Sequence, residues 1–444
     1  MGDSVYNCCK LKDLVSTYMD ELAVNGYFSG SILVGYKGEK LINQGYGYAC
    51  HQYDVKNTRC TKFKIGSLTK AFTAMAVLQL EEQGKISLTD SLSKYIVDFP
   101  SGSKITIQQL LNHTSGIKDF VCDPQYWTKT MRLPTTLEST INLFKNLPLN
   151  FEPGTKFEYS NSNYTILAYL IEKVSITSYE EFLKHNIFEP LGMENTGCDD
   201  GKAIIKNYAE GYTIWKNLKH ADFIDMSIAK GTYGLYSTVE DLYIWHKALY
   251  TEKLVSKKQL DKMFNICNGA CGFDWFCELQ CFNSIQKKKM YHFGDVNGYV
   301  SFFSRYVEDD LAIIVLSNFN LTPIEKISDD IAKIVFGEKV DNSKRYEAKE
   351  VPTSLKNVIT GDFNSCSDVQ LSLSIEEGKI YLTIPKRYDV LYKYEMVATD
   401  VAMDKIKFRT KFVDETVILD FKQDGTIKLT HIDAYNNHIK AEKR

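Results

Sequence analysis

Phe63-Lys64-Ile65-Gly66-Ser67-Leu68-Thr69-Lys70 is the stretch whose reading decides the rest of the chain. It opens a run from Ala71 to Gly84 that predicts an amphipathic helix. Residues three apart on a helix share a face, so the Ser67 hydroxyl and the Lys70 amine can meet. A serine hydroxyl is a weak nucleophile that needs a base, and a lysine held in a dry pocket can lose its proton and serve as one. Backbone N–H groups at the helix start are placed to stabilise a developing oxyanion. A Ser-x-x-Lys pair by itself is more often a surface accident than a catalytic unit, so its weight depends on the segments that follow.

Upstream, residues 10–26 carry apolar positions at helical spacing and end on Gly26. Two strand-like runs, Phe28 to Tyr36 and Leu41 to Tyr48, flank a Gly38-Glu39 turn and predict a hairpin. Residues from about 86 to 205 read as a helical lobe, with helices expected at 106–111, 137–147, 161–175 and 179–187. Thr238 to Tyr250 predicts a further helix, capped by Ser237 or Thr238. Strands are expected at 273–283, 289–293, 299–306 and 311–317, and a last helix at about 322–336. The order implies one sheet with flanking helices and an inserted helical lobe, and clefts between such lobes hold active sites.

The pattern changes near 340–352, where a charged, non-periodic segment runs into Val351-Pro352. Beyond it apolar residues alternate, as in Val369, Leu371, Leu373 and Ile375, with turns at Glu377-Gly378 and Asp424-Gly425. About eight short strands fit, which predicts a small antiparallel barrel or sandwich. The expected domains are therefore 1–340 and 350–444.

Composition narrows the function. The 444 residues are 44% hydrophobic and 25% charged with a net charge of -3, so neither nucleic acid nor an anionic membrane is an expected partner. No apolar run approaches the ~18 residues of a membrane span. The first residues lack the basic-then-apolar order of a secretory signal, and the 11 cysteines are odd in number, so reduced thiols in a cytoplasm are the expectation. Cys267, Cys271, Cys277 and Cys281 lack the C-x2-C spacing of structural zinc sites, and Gly272-Phe273-Asp274-Trp275-Phe276 between them reads as a strand. No metal or cofactor is inferred.

Two downstream segments complete the pattern. Tyr159-Ser160-Asn161 follows the Pro153-Gly154 turn and opens the helix at 161–175. A tyrosine beside an ammonium becomes more acidic and can take the serine proton or pass one to a leaving group, while Asn161 offers an amide to a carbonyl or to the lysine. His292-Phe293-Gly294 ends a short strand ahead of Asp295. Gly294 permits close backbone approach, and an edge strand there would supply a second oxyanion donor, the Asp295 N–H, beside that of Ser67. Singly, each is more readily a core tyrosine with a helix cap, or a hairpin turn with a packed histidine.

Taken together and in this order, Ser67-Leu68-Thr69-Lys70, Tyr159-Ser160-Asn161 and His292-Phe293-Gly294 resemble the serine β-lactamase-related superfamily. Its class C β-lactamases, penicillin-binding DD-peptidases, D-aminopeptidases and related esterases are the most similar branches. Leu110-Leu111-Asn112-His113-Thr114-Ser115-Gly116, Phe188-Glu189-Pro190-Leu191-Gly192-Met193 and Gly234-Leu235-Tyr236-Ser237-Thr238 agree with it. The resemblance spans about residues 10–337. It implies an α/β sandwich with a helical lobe, an α+β fold of the β-lactamase/transpeptidase kind, and a tail similar to the lipocalin-like domain that some relatives append. It further implies Ser67 as acylated nucleophile, Lys70 and Tyr159 sharing proton transfer, Asn161 orienting lysine and substrate, and His292 on the sheet edge. His113 is expected to be structural.

The chain departs from that pattern at Phe293, where relatives often carry a hydroxyl, and at His292, since an ordinary histidine is mostly neutral at pH 7. Both weaken a carboxylate anchor and argue against penicillin or D-Ala-D-Ala as substrate. The expected activity is a serine hydrolase acting through an acyl-enzyme, most of all a peptidase for D-amino-acid-containing peptides. A carboxylesterase, an acyltransferase or peptide cyclase, and a silent binding protein are the alternatives. The expected partner is a small peptide or ester, and no oligomeric state is assigned.

Overall fold

The computed structural model describes residues 2–265, 272–340, 346–365, 369–386 and 389–443. Six antiparallel strands form the central sheet, in the order Glu39–Tyr46, Gly30–Tyr36, Leu311–Ser317, Tyr299–Tyr306, Ile285–Val296 and Phe276–Phe282. Successive side chains on a strand point to opposite faces, and the sheet uses both. Leu33, Phe303, Ile314 and Leu316 face the helical lobe. Ile32, Val34, Phe302, Ile313 and Val315 face the helices Gly2–Val24 and Ile324–Val335. The register Ile32↔Val315 and Phe302↔Val315 keeps each row on one side.

Helix Thr69–Glu82 lies in the middle of the first core, and every residue from Thr69 to Leu80 is buried. It is buried all round, which corrects the amphipathic expectation: a helix enclosed on every side has no solvent face, and its polar Lys70, Thr73 and Gln79 are hydrogen-bonded inside. Ala71, Ala74 and Ala76 keep it thin enough for helix Asn161–Ser175 and the 179–191 segment to pack around it. The helix expected over 137–147 ends at Asn142, and the one expected over 179–187 passes into a π-turn at Lys184–Phe188.

Gly361–Ser365, Gln370–Glu376, Lys379–Pro385, Leu391–Val401, Lys405–Thr410, Thr416–Phe421, Ile427–Ile432 and His438–Lys443 make a closed antiparallel barrel. Each strand pairs with the next, and the last returns to the first through Asn364↔Glu442. Closure removes exposed edges, and alternation fills the interior with Leu371, Leu382, Phe408, Val417 and Leu429. A strand with no clear signal in the sequence, Tyr212–His220, adds to the outside of the barrel in parallel to Leu391–Val401. Tyr212, Ile214 and Phe319 join the barrel core, so the barrel is packed onto the rest of the chain rather than tethered.

Among the described residues no helix is long and apolar enough to cross a membrane. Cys267 and Cys271 lie outside the described residues, while Cys277 and Cys281 are free thiols on the edge strand Phe276–Phe282.

Candidate active site

Ser67 sits on the one-turn 3-10 helix Gly66–Leu68 that leads into the central helix. Gly66 has φ +53°, a left-handed backbone that favours glycine. A Cβ there would lie 2.6 Å from the Asp295 nitrogen, and one at Gly294 would overlap the Ile65 carbonyl and Ser301 Oγ. The two glycines therefore let the 65–67 turn press against the 294–295 backbone. Ser301 Oγ donates to Ile65 O at 2.7 Å and secures the contact. Strand Ile285–Val296 was expected as a sheet edge. It is flanked by Phe276–Phe282 only as far as Tyr291, which leaves residues 292–296 with a strand neighbour on one side. That local edge is the part that faces Ser67.

Lys70 Nζ donates to Ser67 Oγ at 2.9 Å and to the Thr232 carbonyl at 2.9 Å. The side chain is fully buried. Burial lowers its pKa to about 8, against the opposing pull of the Asp274 and Asp119 carboxylates. The ammonium lies 5.0 Å from the Tyr159 ring centroid and 5.9 Å from that of Tyr164. Tyr159, distant in sequence, is thus brought beside the Ser67–Lys70 pair.

Tyr159 stacks on His113, with ring centroids 4.4 Å apart. The Ser160 N–H donates to His113 Nδ1 at 3.1 Å, so Nε2 carries the hydrogen and faces Asp274 Oδ1 at 3.4 Å. Burial lowers the His113 pKa. Asp274 Oδ2 lies 3.0 Å from His292 Nε2, an ion-pair distance rather than an aligned hydrogen bond. His292 is also buried and packs against Phe276 and Phe293. Asp274 is held below the usual carboxylate range by the two histidines and Lys70, although burial pulls the other way.

Asn161 opens helix Asn161–Ser175, and its Nδ2 donates to Asp119 Oδ2 at 2.8 Å. Lys70 hydrogen-bonds to Ser67 and Thr232 and not to Asn161, whose amide remains available to a substrate. Asp119 also accepts from the Val121 N–H at 3.2 Å as the cap of the turn Phe120–Cys122.

Asp274 and Asp119 are not among the site residues that the sequence predicts. The strand expected over 272–276 includes Asp274. In the structure the strand begins at Phe276, and Asp274 occupies a turn with φ +63°. Its only sequence cue is an aspartate between Phe273 and Trp275, a charge in an apolar stretch where a left-handed residue is tolerated.

Residues 11–335 match the family described as Beta-lactamase. The chain is 36% identical over 251 residues to a putative penicillin-binding protein PbpX of Bacillus subtilis, covering 56% of this chain and 61% of that protein's length. It is 28% identical over 403 residues to penicillin-binding protein 4* of the same organism, covering 83% of this chain and 87% of the relative. An octameric penicillin-binding protein homologue from Pyrococcus abyssi superposes with a TM-score of 0.65 at 25% identity, over 98% of this chain and 99% of that one, barrel included. D-amino acid amidase from Ochrobactrum anthropi shares the fold with a TM-score of 0.64 at 23% identity, over 73% of this chain and 98% of that one.

Proposed function

This chain belongs to the beta-lactamase family, and we propose that it is a serine hydrolase that cleaves amide bonds in D-amino-acid-containing peptides through an acyl-enzyme on Ser67. The observation that carries this reading is the fully buried Lys70 amine 2.9 Å from the Ser67 hydroxyl, with its pKa lowered to about 8. An amine in that range is neutral often enough near neutral pH to take a proton, and basic enough to want one. The D-amino acid assignment draws on the D-amino acid amidase likeness and on the weak carboxylate anchor at His292 and Phe293.

In this mechanism Ser67 Oγ attacks the scissile carbonyl carbon while its proton passes to the Lys70–Tyr159 pair. The oxyanion is held between the N–H groups of Ser67 and Asp295. Collapse breaks the C–N bond, the amine leaves with a proton from Tyr159, and the acyl group stays on Ser67. Water then adds to the ester carbonyl, giving its proton to Tyr159; the bond from the carbonyl carbon to Ser67 Oγ breaks, Oγ regains the proton from the Lys70–Tyr159 pair, and the acid departs. Asn161, His292 and Gly294 shape the substrate side of the pocket. Residues 1–340 form the hydrolase domain in this reading, and 350–444 a lipocalin-like barrel domain.

A panel of D-aminoacyl anilides, p-nitrophenyl esters and penicillin analogues, assayed on the native chain and on Ser67→Ala, tests it. Turnover of the D-aminoacyl anilides that vanishes in Ser67→Ala is the expected result. Substantial turnover by Ser67→Ala removes the acyl-enzyme, and esters alone being cleaved replaces the peptidase with an esterase.

A further inference from the structure

The amide of Asn161 has a fixed orientation. A carboxylate only accepts hydrogen bonds, so the end of the amide that meets Asp119 Oδ2 at 2.8 Å is the NH2 end. The oxygen end is therefore turned away from Asp119. Asn161 is 8% exposed, and its Oδ1 has no hydrogen-bond partner. A buried carbonyl oxygen left without a donor is unfavourable, and a donor brought by a ligand would relieve it.

Asp119 is part-buried beside it and is already engaged by the Val121 N–H, the Asn161 side chain and the Asn161 backbone N–H. What it has left to offer is chiefly charge. Lys70 acts through space on both Asp119 and Asp274, and Asp274 is already paired with His113 and His292. Asp119 is thus the carboxylate that stands beside Asn161, with Lys70 acting on it only through space. His292, the residue placed where a carboxylate anchor would be, is occupied by Asp274 at 3.0 Å. An anionic substrate group would meet unfavourable charge here, and a cationic one would not.

We propose that Asn161 and Asp119 form a subsite for a substrate ammonium group next to the scissile carbonyl, with Asn161 Oδ1 accepting one of its hydrogens and Asp119 supplying the countercharge. The substrate class that fits is amides and esters of amino acids whose own amino group is free, including the first residue of a peptide. N-acylated substrates and substrates that present a free carboxylate at this corner are disfavoured. The inference rests on the acyl-enzyme reading above and adds the recognition element that reading lacks.

The test compares two irreversible probes on the full chain, the diphenyl phosphonate analogue of D-alanine with a free amine and its N-acetyl derivative, with a simple alkyl fluorophosphonate as reference. Inactivation by the free-amine probe should be at least about tenfold faster than by the N-acetyl probe, the scale of a charged hydrogen bond. In Asp119→Asn the two rates should converge. Equal rates in the native chain, or a faster N-acetyl probe, overturn the subsite, and this comparison decides even if the variant does not fold. A folded variant that keeps the full preference removes Asp119 from it. If the fluorophosphonate labels Ser67 and the amine preference is missing, the subsite alone fails. If none of the three probes labels Ser67, the acyl-enzyme reading fails and takes the subsite with it.

Discussion

Asp274 and His292, both sealed from solvent, face each other with Oδ2 3.0 Å from Nε2. The other oxygen of the same carboxylate reaches His113, on which Tyr159 is stacked. One buried charge therefore touches the ring beneath Tyr159 and the histidine of the third motif, and it acts through space on Lys70. Its backbone is left-handed, a conformation that aspartate adopts more readily than most residues with a Cβ. In the proposed mechanism this buried carboxylate, set between two histidine rings, is a positioning residue for the Lys70–Tyr159 pair.

The pH profile follows from it. Lys70 must be neutral to act as base, so kcat/KM should rise with pH through about 8. The Asp274 charge raises the Lys70 pKa. Asp274→Asn removes that charge, so the rising limb should move to lower pH. A purely structural role would lower the rate without moving the limb, and a shift to higher pH would contradict the assignment.

The role proposed for Lys70 comes at the expense of stability. Its pKa falls from an ordinary 10.5 to about 8 on folding. Between those values the unfolded chain binds a proton that the native chain does not, so this group's contribution to stability rises with pH across that window and is least favourable below it. Lys70→Met, which removes the buried charge, should abolish turnover by about a thousandfold or more while leaving urea stability at pH 7 equal or higher. A loss of more than about 2 kcal/mol in the melt would contradict the burial account.

Gly294 tests the contact between the strand and the Ser67 turn. A Cβ there would overlap Ile65 O and Ser301 Oγ, so Gly294→Ala should cost about 1–3 kcal/mol and move the Asp295 amide away from Ser67. Activity should fall by more than the folded fraction falls. Gly378→Ala is the comparison: φ is +78° but nothing lies within 4 Å, so a loss of about 1 kcal/mol with normal kinetics is expected. Urea melts alongside initial rates for both variants separate crowding from backbone strain.

In the barrel, Glu415 accepts from Tyr394 Oη at 2.6 Å and Lys386 Nζ at 2.6 Å and pairs with His431 Nε2 at 2.7 Å. These partners hold its pKa down to about 2 against the effect of burial. A depressed carboxylate stabilises the fold above its unfolded pKa and loses that contribution as pH falls through the native one. Native stability should therefore drop between pH 5 and pH 2 more steeply than that of Glu415→Gln, as read by urea melts across that range. Parallel curves would show that the network contributes little.

The parts of the site that the sequence makes legible are those fixed locally. Ser67 and Lys70 are one helical turn apart, Tyr159 and Asn161 border a helix start, and Gly294 stands where a strand meets a turn. Alternation alone predicted the barrel, because its strands are half-buried and read with period two. Asp274 and Asp119 were not visible because their roles arise from tertiary contacts: Asp274 meets residues some 160 positions earlier, and Asp119 acquires its meaning only when Asn161 folds over it. Tyr212–His220 was missed because Lys216, Lys219 and His220 obscure its alternation and only Lys393 and Tyr394 pair with it. The all-round burial of Thr69–Leu80 likewise depends on what packs against it, not on its own period.

The proposed mechanism requires a covalent acyl group on the Ser67 hydroxyl. Acid quenching during turnover of p-nitrophenyl acetate, followed by mass spectrometry of the digested chain, measures it most directly. One acetyl group on the peptide that contains Ser67, and none in Ser67→Ala, is the predicted result. Turnover with no acyl group on that peptide, or with the group on a different residue, would contradict it.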